Sequence, residues 1–351
     1  MRRQPSIVWH RLHLLNIECN FNTMLKVGVA GVGHLGKVHT KLWKQVDGVQ
    51  FVGVFDENGA MGSAAANEFG VENFSSLHAL LKQVDALSIV TTTQAHYAVA
   101  KAAISEGKHV LIEKPITTTT EQAEELIALA KQQGVKIQVG HVERFNPALI
   151  AAEPYLTDPR FFESHRMAQF KPRGTDVAVV LDLMVHDIDV ILSLVKSPVK
   201  SIDASGVAVV SEQLDIANAR IKFENGAVAN VTASRISQNP LRKMRVFAKD
   251  AYLSLDFGAK SVDVFRLIAE GEHENEGSLT MKLGEIEKGN VPRTIIYEKP
   301  DVKDLNPLKY ELELFRDAVL HDLRPVVAGE DGLKALAVAE QIIISIEKQI
   351  L

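Results

Sequence analysis

The run Asp182-Leu183-Met184-Val185-His186-Asp187-Ile188-Asp189 holds the densest set of side chains able to move a proton. On a helix Asp182, His186 and Asp189 recur at i, i+4 and i+7 and share a face, while Leu183, Val190 and Leu194 pack away from it. Imidazole suits removal of a hydroxyl proton near neutral pH, and a carboxylate one turn earlier can orient the ring or contact substrate. Two flanking carboxylates would strengthen the base. A divalent metal or a solvated polar face would use the same residues, although no third metal ligand is identifiable. Lys114 is the second candidate, set between Glu113 and Pro115 just past the apolar run His109-Val110-Leu111-Ile112. A partly desolvated ammonium there can donate to a reacting oxygen, and the tripeptide alone reads equally as a surface lysine paired with Glu113. Pro115 restricts Lys114 to extended backbone and is a candidate for a cis bond.

A phosphate-binding layout precedes both. Leu25 to Ala30 reads as a buried strand, followed by Gly31-Val32-Gly33-His34-Leu35-Gly36 and a helix. Main-chain N–H groups can approach a pyrophosphate only where side chains are absent at Gly31 and Gly33, and Gly36 lets the helix pack on the strand. The helix N-terminus adds free donors and partial positive charge. A second strand, Val49 to Phe55, ends at Asp56, twenty residues after Gly36. An acid at that place accepts from the adenosine ribose hydroxyls and repels a 2′-phosphate. Glu57 adds to the repulsion and no Arg or Lys follows before Lys82, so NAD is favoured over NADP. His141, Arg144, Arg166, Lys171, Arg173, Arg235, Arg242, Lys243 and Arg245 could bind phosphate or carboxylate, and individually each also reads as a surface cation.

The elements that must position these residues alternate strand and helix as far as the strand Val135 to Val139, which implies parallel pairing with ligands at the carboxyl ends of the strands. The Gly loop, Asp56, Thr91 to His96 and Glu113 to Pro115 all fall at such ends. Beyond Pro147 the reading is mixed structure to about Asp176, a helix from about Val179 to Val195, and then recurrent strand segments. These are 202–210, 216–223, 227–236, 244–248, 252–257, 262–268 and 294–297. Turns such as Glu224-Asn225-Gly226 write an antiparallel meander. Helices over 308–320 and 333–350 close the chain. A large sheet with helices on one side leaves the other face for a partner subunit, so a homodimer or homotetramer is expected.

Composition limits the alternatives. The 351 residues allow two domains, and 46% hydrophobic with 24% charged residues is ordinary globular composition. A net charge of −5 offers no general attraction for nucleic acid or an anionic membrane. Cys19 is the single cysteine, which excludes an intramolecular disulfide and a cysteine-based zinc site and fits a reducing cytoplasm. No apolar run approaches the roughly 20 residues needed to cross a bilayer. His10, Arg11 and His13 interrupt the apolar character of the first 23 residues, which read as disordered, as upstream of a natural start at Met24, or as an ordered arm in a dimer contact.

In combination these motifs resemble the glucose-fructose oxidoreductase, inositol dehydrogenase and MocA superfamily. The resemblance is carried by Gly31-x-Gly33-x-x-Gly36, Asp56, the Thr-rich turn ending at His96, Gly107-Lys108-His109-Val110, Glu113-Lys114-Pro115 and Asp182-x-x-x-His186-Asp187. It covers essentially Met24 to Leu351. It implies an α/β Rossmann NAD-binding domain over 24–145 and an α+β domain with a large, mostly antiparallel open sheet over 146–351. It also implies a reaction centre of Lys114 and His186 with Asp182 assisting, and no metal. Motifs and resemblance together place cofactor contacts at Gly31, Gly33, His34, Leu35, Gly36, Asp56, Thr91, Thr92, His96, Glu113, Lys114 and Arg144. Thr91-Thr92-Thr93-Gln94 departs from the frequent Thr-Pro-Asn, which leaves the nicotinamide-side contacts open.

A narrower set resembles the bacterial UDP-N-acetylglucosamine 3-dehydrogenase family: Gly140 to Pro147, Val180 to Asp189 and Ala233-Ser234-Arg235. That resemblance implies oxidation of a C3 hydroxyl on a UDP-sugar, ahead of a pyridoxal-phosphate aminotransferase in lipid A synthesis. Substrate contacts are then expected at Lys114, Arg144, Arg173, Asp182, His186 and Arg235. The alternatives are another cyclic polyol or sugar, such as a UDP-sugar acid, an inositol or a free sugar, and a regulator that senses a dinucleotide or sugar without turnover.

Overall fold

Short apolar strands separated by helices form a six-stranded parallel sheet in the computed structural model, which describes residues 24–170, 177–269, 278–288 and 291–350. The first 23 residues, Lys171 and Arg173 lie outside the described residues. The chain divides into two compact units, Met1–His141 with Leu308–Leu333, and Val142–Pro307 with Lys334–Leu351.

In the first unit the strands are β1 (Leu25–Ala30), β2 (Val49–Phe55), β3 (Glu72–Asn73), β4 (Ala86–Ile89), β5 (His109–Glu113) and β6 (Ile137–Gly140). Their order is β3-β2-β1-β4-β5-β6 and every pairing is parallel, so the order reverses between β1 and β4. The two-residue β3 is too short to show a period in the sequence. The connecting helices are α1 (His34–Trp43), α2 (Gly59–Phe69), α3 (Leu77–Leu81), α4 (Thr93–Ser105) and α5 (Thr120–Gln133). Their ends follow local chemistry: the Asn58 side chain accepts from Ala60 and Met61 N–H groups, and Gly70 and Gly134 close α2 and α5 in left-handed conformation.

Helix α8 (Pro307–Leu320) also packs into this unit, although the sequence places 308–333 in the second domain. Leu312 and Phe315 are buried in the cluster around β1 and α1, and Phe315 meets Trp43 edge-on at 6.3 Å. Val139 N–H donates to the Val327 carbonyl at 2.9 Å, and α9 (Gly329–Ile350) begins just beyond. An amphipathic helix shows which of its faces is apolar and not which core it joins, so this return to the first unit has no local signature.

The second unit carries a nine-stranded sheet. Its strands are β7 (Phe161–Met167), β8 (Val199–Val207), β9 (Ile216–Phe223), β10 (Val228–Ser234), β11 (Leu241–Phe247), β12 (Ala251–Asp256), β13 (Ser261–Ala269), β14 (Ser278–Lys288) and β15 (Val291–Pro300). The order is β14-β15-β13-β12-β11-β7-β10-β9-β8. Neighbours are antiparallel except β7 and β10, which run parallel, so the expected meander is interrupted at its centre. β7 shows no strand period in the sequence because its inward face is Phe162, Ser164 and Arg166, and two of those three are polar. β14 shows none because the strand is exposed on both sides, with a register shift between Lys282 and Gly284. Helices α6 (Pro147–Ala152) and α7 (Val185–Leu194), with the later turns of α9, cover the inner face and close a core that includes Phe162, Ile188, Ile191, Phe223 and Ile342.

The opposite face of this sheet carries an aromatic row. Phe161, Phe247, Tyr252, Phe265 and Tyr297 lie on successive strands with ring centroids 5.8, 4.8, 5.6 and 5.1 Å apart. Met281, opposite Tyr297, extends the row and is 57% exposed.

A Cβ on Gly332 of α9 would lie 2.6 Å from Val139 Cγ2. Gly332→Leu should therefore destabilise the protein by about 1–3 kcal/mol. Chemical denaturation will read this as a lower midpoint at unchanged slope.

Candidate functional site

In the first unit the carboxyl ends of β1, β2, β4 and β5 bring the expected cofactor residues to one edge of the sheet. Gly31 has φ +89°, and a Cβ there would meet the Val90 carbonyl oxygen at 2.6 Å. A Cβ on Gly36 would lie 1.9 Å from the Gly31 carbonyl oxygen, so these two glycines are required by the protein itself. Gly33 differs, because a Cβ there would meet nothing within 4 Å. It precedes α1 and caps it without any side-chain hydrogen bond. Space that a side chain would fill, beside uncapped N–H groups at a helix N-terminus, fits a pyrophosphate. His34 and Leu35 are exposed on the first turn.

Asp56 closes the loop from the side. Its Oδ2 accepts from Val32 N–H at 2.8 Å and its Oδ1 from Asn58 N–H at 2.9 Å. A carboxylate has about four acceptor positions, so two stay open for ribose hydroxyls. The acid thus ties the tip of β2 to the Gly loop. A loop bond between residues 24 apart in sequence leaves no local pattern by which to anticipate it.

At β4 and β5 the arrangement concerns Lys114. The Lys114–Pro115 bond is cis, Lys114 is half-buried, and Thr91 and Thr92 lead into α4. His96, expected as a cofactor contact, is buried and holds backbone. Its Nδ1 lies 2.8 Å from the Pro115 carbonyl oxygen and its Nε2 3.3 Å from that of Thr91. Burial pushes its pKa below the ordinary histidine value, despite the carbonyl of Pro115. A neutral ring has one N–H, and the shorter contact assigns it to Nδ1. Glu113 is buried directly behind Lys114. Burial by itself would raise its pKa, but His39 and Lys114 outweigh that, and the carboxyl sits below the usual range.

In the second unit a π-helical turn, Val180–Met184, runs into α7. Asp182 lies in that turn and His186 on the first turn of α7, and both side chains are half-buried. π-turns gather at functional positions. Asp189 does not join His186, because its two oxygens take Arg144 Nε at 2.6 Å and Nη2 at 2.8 Å. Asp187 pairs in the same bidentate way with Arg166, at 2.9 and 3.0 Å. Arg166 Nη1 reaches Glu143 at 2.8 Å, and Glu143 accepts from Asn146. Burial would lower the Arg166 pKa, but Asp187 and Glu143 hold it above its ordinary value.

Four of the groups read as surface cations are therefore buried, His141 among them. Arg144 and Arg166 are committed to Asp189 and Asp187. Arg235 donates to the Val177 carbonyl, just before the π-turn. Arg242, Lys243 and Arg245 are the exposed ones, with Glu143, Asp256 and Glu163 as their nearest acids. Among the described residues no group of three or more His, Cys, Asp or Glu could hold a metal ion, and no helix is long and apolar enough to cross a membrane.

Comparison with known proteins agrees with this layout. Residues 25–141 match the GFO/IDH/MocA model described as an oxidoreductase family with an NAD-binding Rossmann fold, and residues 155–254 match the GFO/IDH/MocA C-terminal domain. The chain is 37% identical over 325 residues to UDP-N-acetylglucosamine 3-dehydrogenase from Acidithiobacillus ferrooxidans, covering 92% of this chain and 97% of that one. A solved structure of that enzyme superposes with a TM-score of 0.82 at 35% identity, covering 93% and 99% of the two chains. Scyllo-inositol 2-dehydrogenase (NAD(+)) from Bacillus subtilis is 29% identical over 61% of this chain and 68% of its own.

Gly33 and Gly36 should separate cofactor binding from folding. Gly33→Val is expected to keep the thermal midpoint while raising the Kd for NAD at least about tenfold, since the side chain enters pyrophosphate space. Gly36→Val should lose both. Differential scanning fluorimetry with an NAD titration reads the two effects separately.

Proposed function

Because this chain belongs to the GFO/IDH/MocA oxidoreductase family and is an NAD-dependent dehydrogenase, we propose that it oxidises the C3 hydroxyl of UDP-N-acetylglucosamine to the 3-keto sugar. The observation that carries the substrate is the end-to-end similarity to the Acidithiobacillus enzyme, which spans 97% of that protein. The acid–base residues support the reaction type. NAD, when bound, supplies the acceptor for the hydride leaving the carbinol carbon.

The chain's own residues supply the rest. His186 takes the hydroxyl proton. Its Nδ1 is buried, which leaves Nε2 as the atom that receives it. Asp182 orients the ring or contacts the sugar. The two Arg–Asp pairs beside His186 hold the start of α7, so the base does not have to be ordered during turnover. Lys114 donates to the carbinol oxygen as negative charge develops there. Asp56 binds the ribose hydroxyls and the uncapped start of α1 binds the pyrophosphate. Arg144 and Arg235 serve the substrate through the backbone and helix that they hold. A 3-keto sugar nucleotide is a substrate for transamination, so a pyridoxal-phosphate aminotransferase in lipid A or surface polysaccharide synthesis would consume the product in the cytoplasm.

A second copy of the chain covers the outer face of the nine-stranded sheet. Apart from the aromatic row, that face carries Asp203, Arg220, Asn230, Glu163, Arg245, Ser254 and Asp263 across successive strands. Alternating signs of this kind can pair with themselves across a two-fold axis, while the aromatic row supplies apolar area. Phe265→Glu is expected to convert the oligomer to monomer in sedimentation velocity. A wild-type monomer would overturn the assignment.

Reduced nicotinamide formation from UDP-N-acetylglucosamine, with an aminotransferase drawing off the product, tests the reaction. Lys114→Met and His186→Ala should each lower kcat by about 10²–10⁴-fold. Turnover of an inositol or free sugar in place of the UDP-sugar would transfer the reading to another cyclic polyol. Full activity of both variants in the cell would favour a sensing role.

A further inference from the structure

His39 lies three residues past Gly36, on the inner side of α1, and is fully buried. Its Nδ1 is 2.9 Å from Ser88 Oγ on β4, and its Nε2 is 3.0 Å from Glu113 Oε1 at the end of β5. The other oxygen of Glu113 accepts from the backbone N–H of Lys114 at 3.2 Å. On the next strand Gly140 leaves room for that carboxylate. A Cβ there would lie 2.8 Å from Oε1 and 2.9 Å from Oε2. Three strands and a helix of the first unit thus converge on one buried acid, and no other part of the proposed reaction uses them.

We propose that His39, Ser88 and Gly140 are positioning residues that fix the Glu113 carboxylate against the Lys114 backbone, so that the lysine leaves β5 in one orientation. The chemistry of the groups requires this direction of bonding. A carboxylate only accepts, and Glu113 Oε2 already takes the Lys114 N–H, so in the 3.0 Å contact with Oε1 the donor is His39 Nε2. Ser88 then anchors the far side of the ring to the centre of the sheet. A buried carboxylate without such a donor would reorient toward other partners and carry the Lys114 backbone with it. Glycine at 140 is needed because the acid takes the space of its side chain.

The inference rests on the role proposed for Lys114, and the experiment separates the two. In the full-length enzyme, with NAD and UDP-N-acetylglucosamine as probes, His39→Ala and Gly140→Ala should lower kcat by about 10²-fold through misplacement of a reacting group. The Kd for NAD should stay unchanged. His39→Gln, whose side-chain N–H can still donate to Glu113, should recover most of the loss. Wild-type kcat in His39→Ala, or a fall in NAD affinity matching the fall in kcat, would overturn the positioning role. Lys114→Met that keeps turnover would instead remove the reading on which it rests. Competitive acetylation of the Lys114 amine, followed by peptide mass spectrometry, needs no substrate. Its rate should differ between wild type and His39→Ala, and equal rates would overturn the inference even if the sugar proves to be a different one.

Discussion

A charged side chain taken out of water must be paired or it destabilises the fold by several kcal/mol, and in each unit that constraint determines where the chemistry-bearing residues stand. In the second unit Arg166 projects from the inner face of β7 with 3% of its surface exposed. It meets Asp187 and Glu143 with all its bonds short. Arg144 and Asp189 repeat the arrangement two residues further along α7. Removing one partner of such a pair typically costs about 3–5 kcal/mol, because the other is left buried and alone. His186 immediately precedes Asp187 on the same helix, so its backbone inherits the rigidity of these pairs. In the first unit Glu113 plays the corresponding part behind Lys114.

The nucleotide edge depends on a different constraint, the space available to backbone. Gly31 and Gly36 are in contact with each other, and neither could carry a Cβ. Gly33 could, and the space it leaves faces the start of α1. Identical residues in one motif therefore do two jobs: two close the turn and one keeps ligand space open. Asp56 joins them by bonding Val32, which couples the tip of β2 to the shape of the loop. A substitution at Asp56 thus acts on the loop itself.

Much of the first unit was legible because parallel strands and crossover helices write long, regular periods, and because glycine has few reasons to recur at three fixed positions before a helix. The candidate residues Lys114, Asp182 and His186 were legible from type and spacing. What escaped was the partnering of charges. Arg144, Arg166 and Arg235 look like surface cations because nothing in the one-dimensional pattern says which carboxylate will face them. Asp189 stands three residues past His186 on α7, which suggests a shared face, yet its carboxylate is taken by Arg144.

Local sequence was sufficient for the strand–Gly-loop–helix at Leu25 to Gly36, for the acid at Asp56 and for the open antiparallel character of much of the second sheet. Each follows from interactions within a few residues or from a simple period. Tertiary structure decided that α8 packs against Trp43 and that β7 runs parallel to β10. It also decided that His96 holds backbone, and that His39, Ser88 and Gly140 surround Glu113. Those outcomes depend on groups as much as 272 residues apart competing for the same buried space and the same hydrogen bonds. No window along the chain contains that competition.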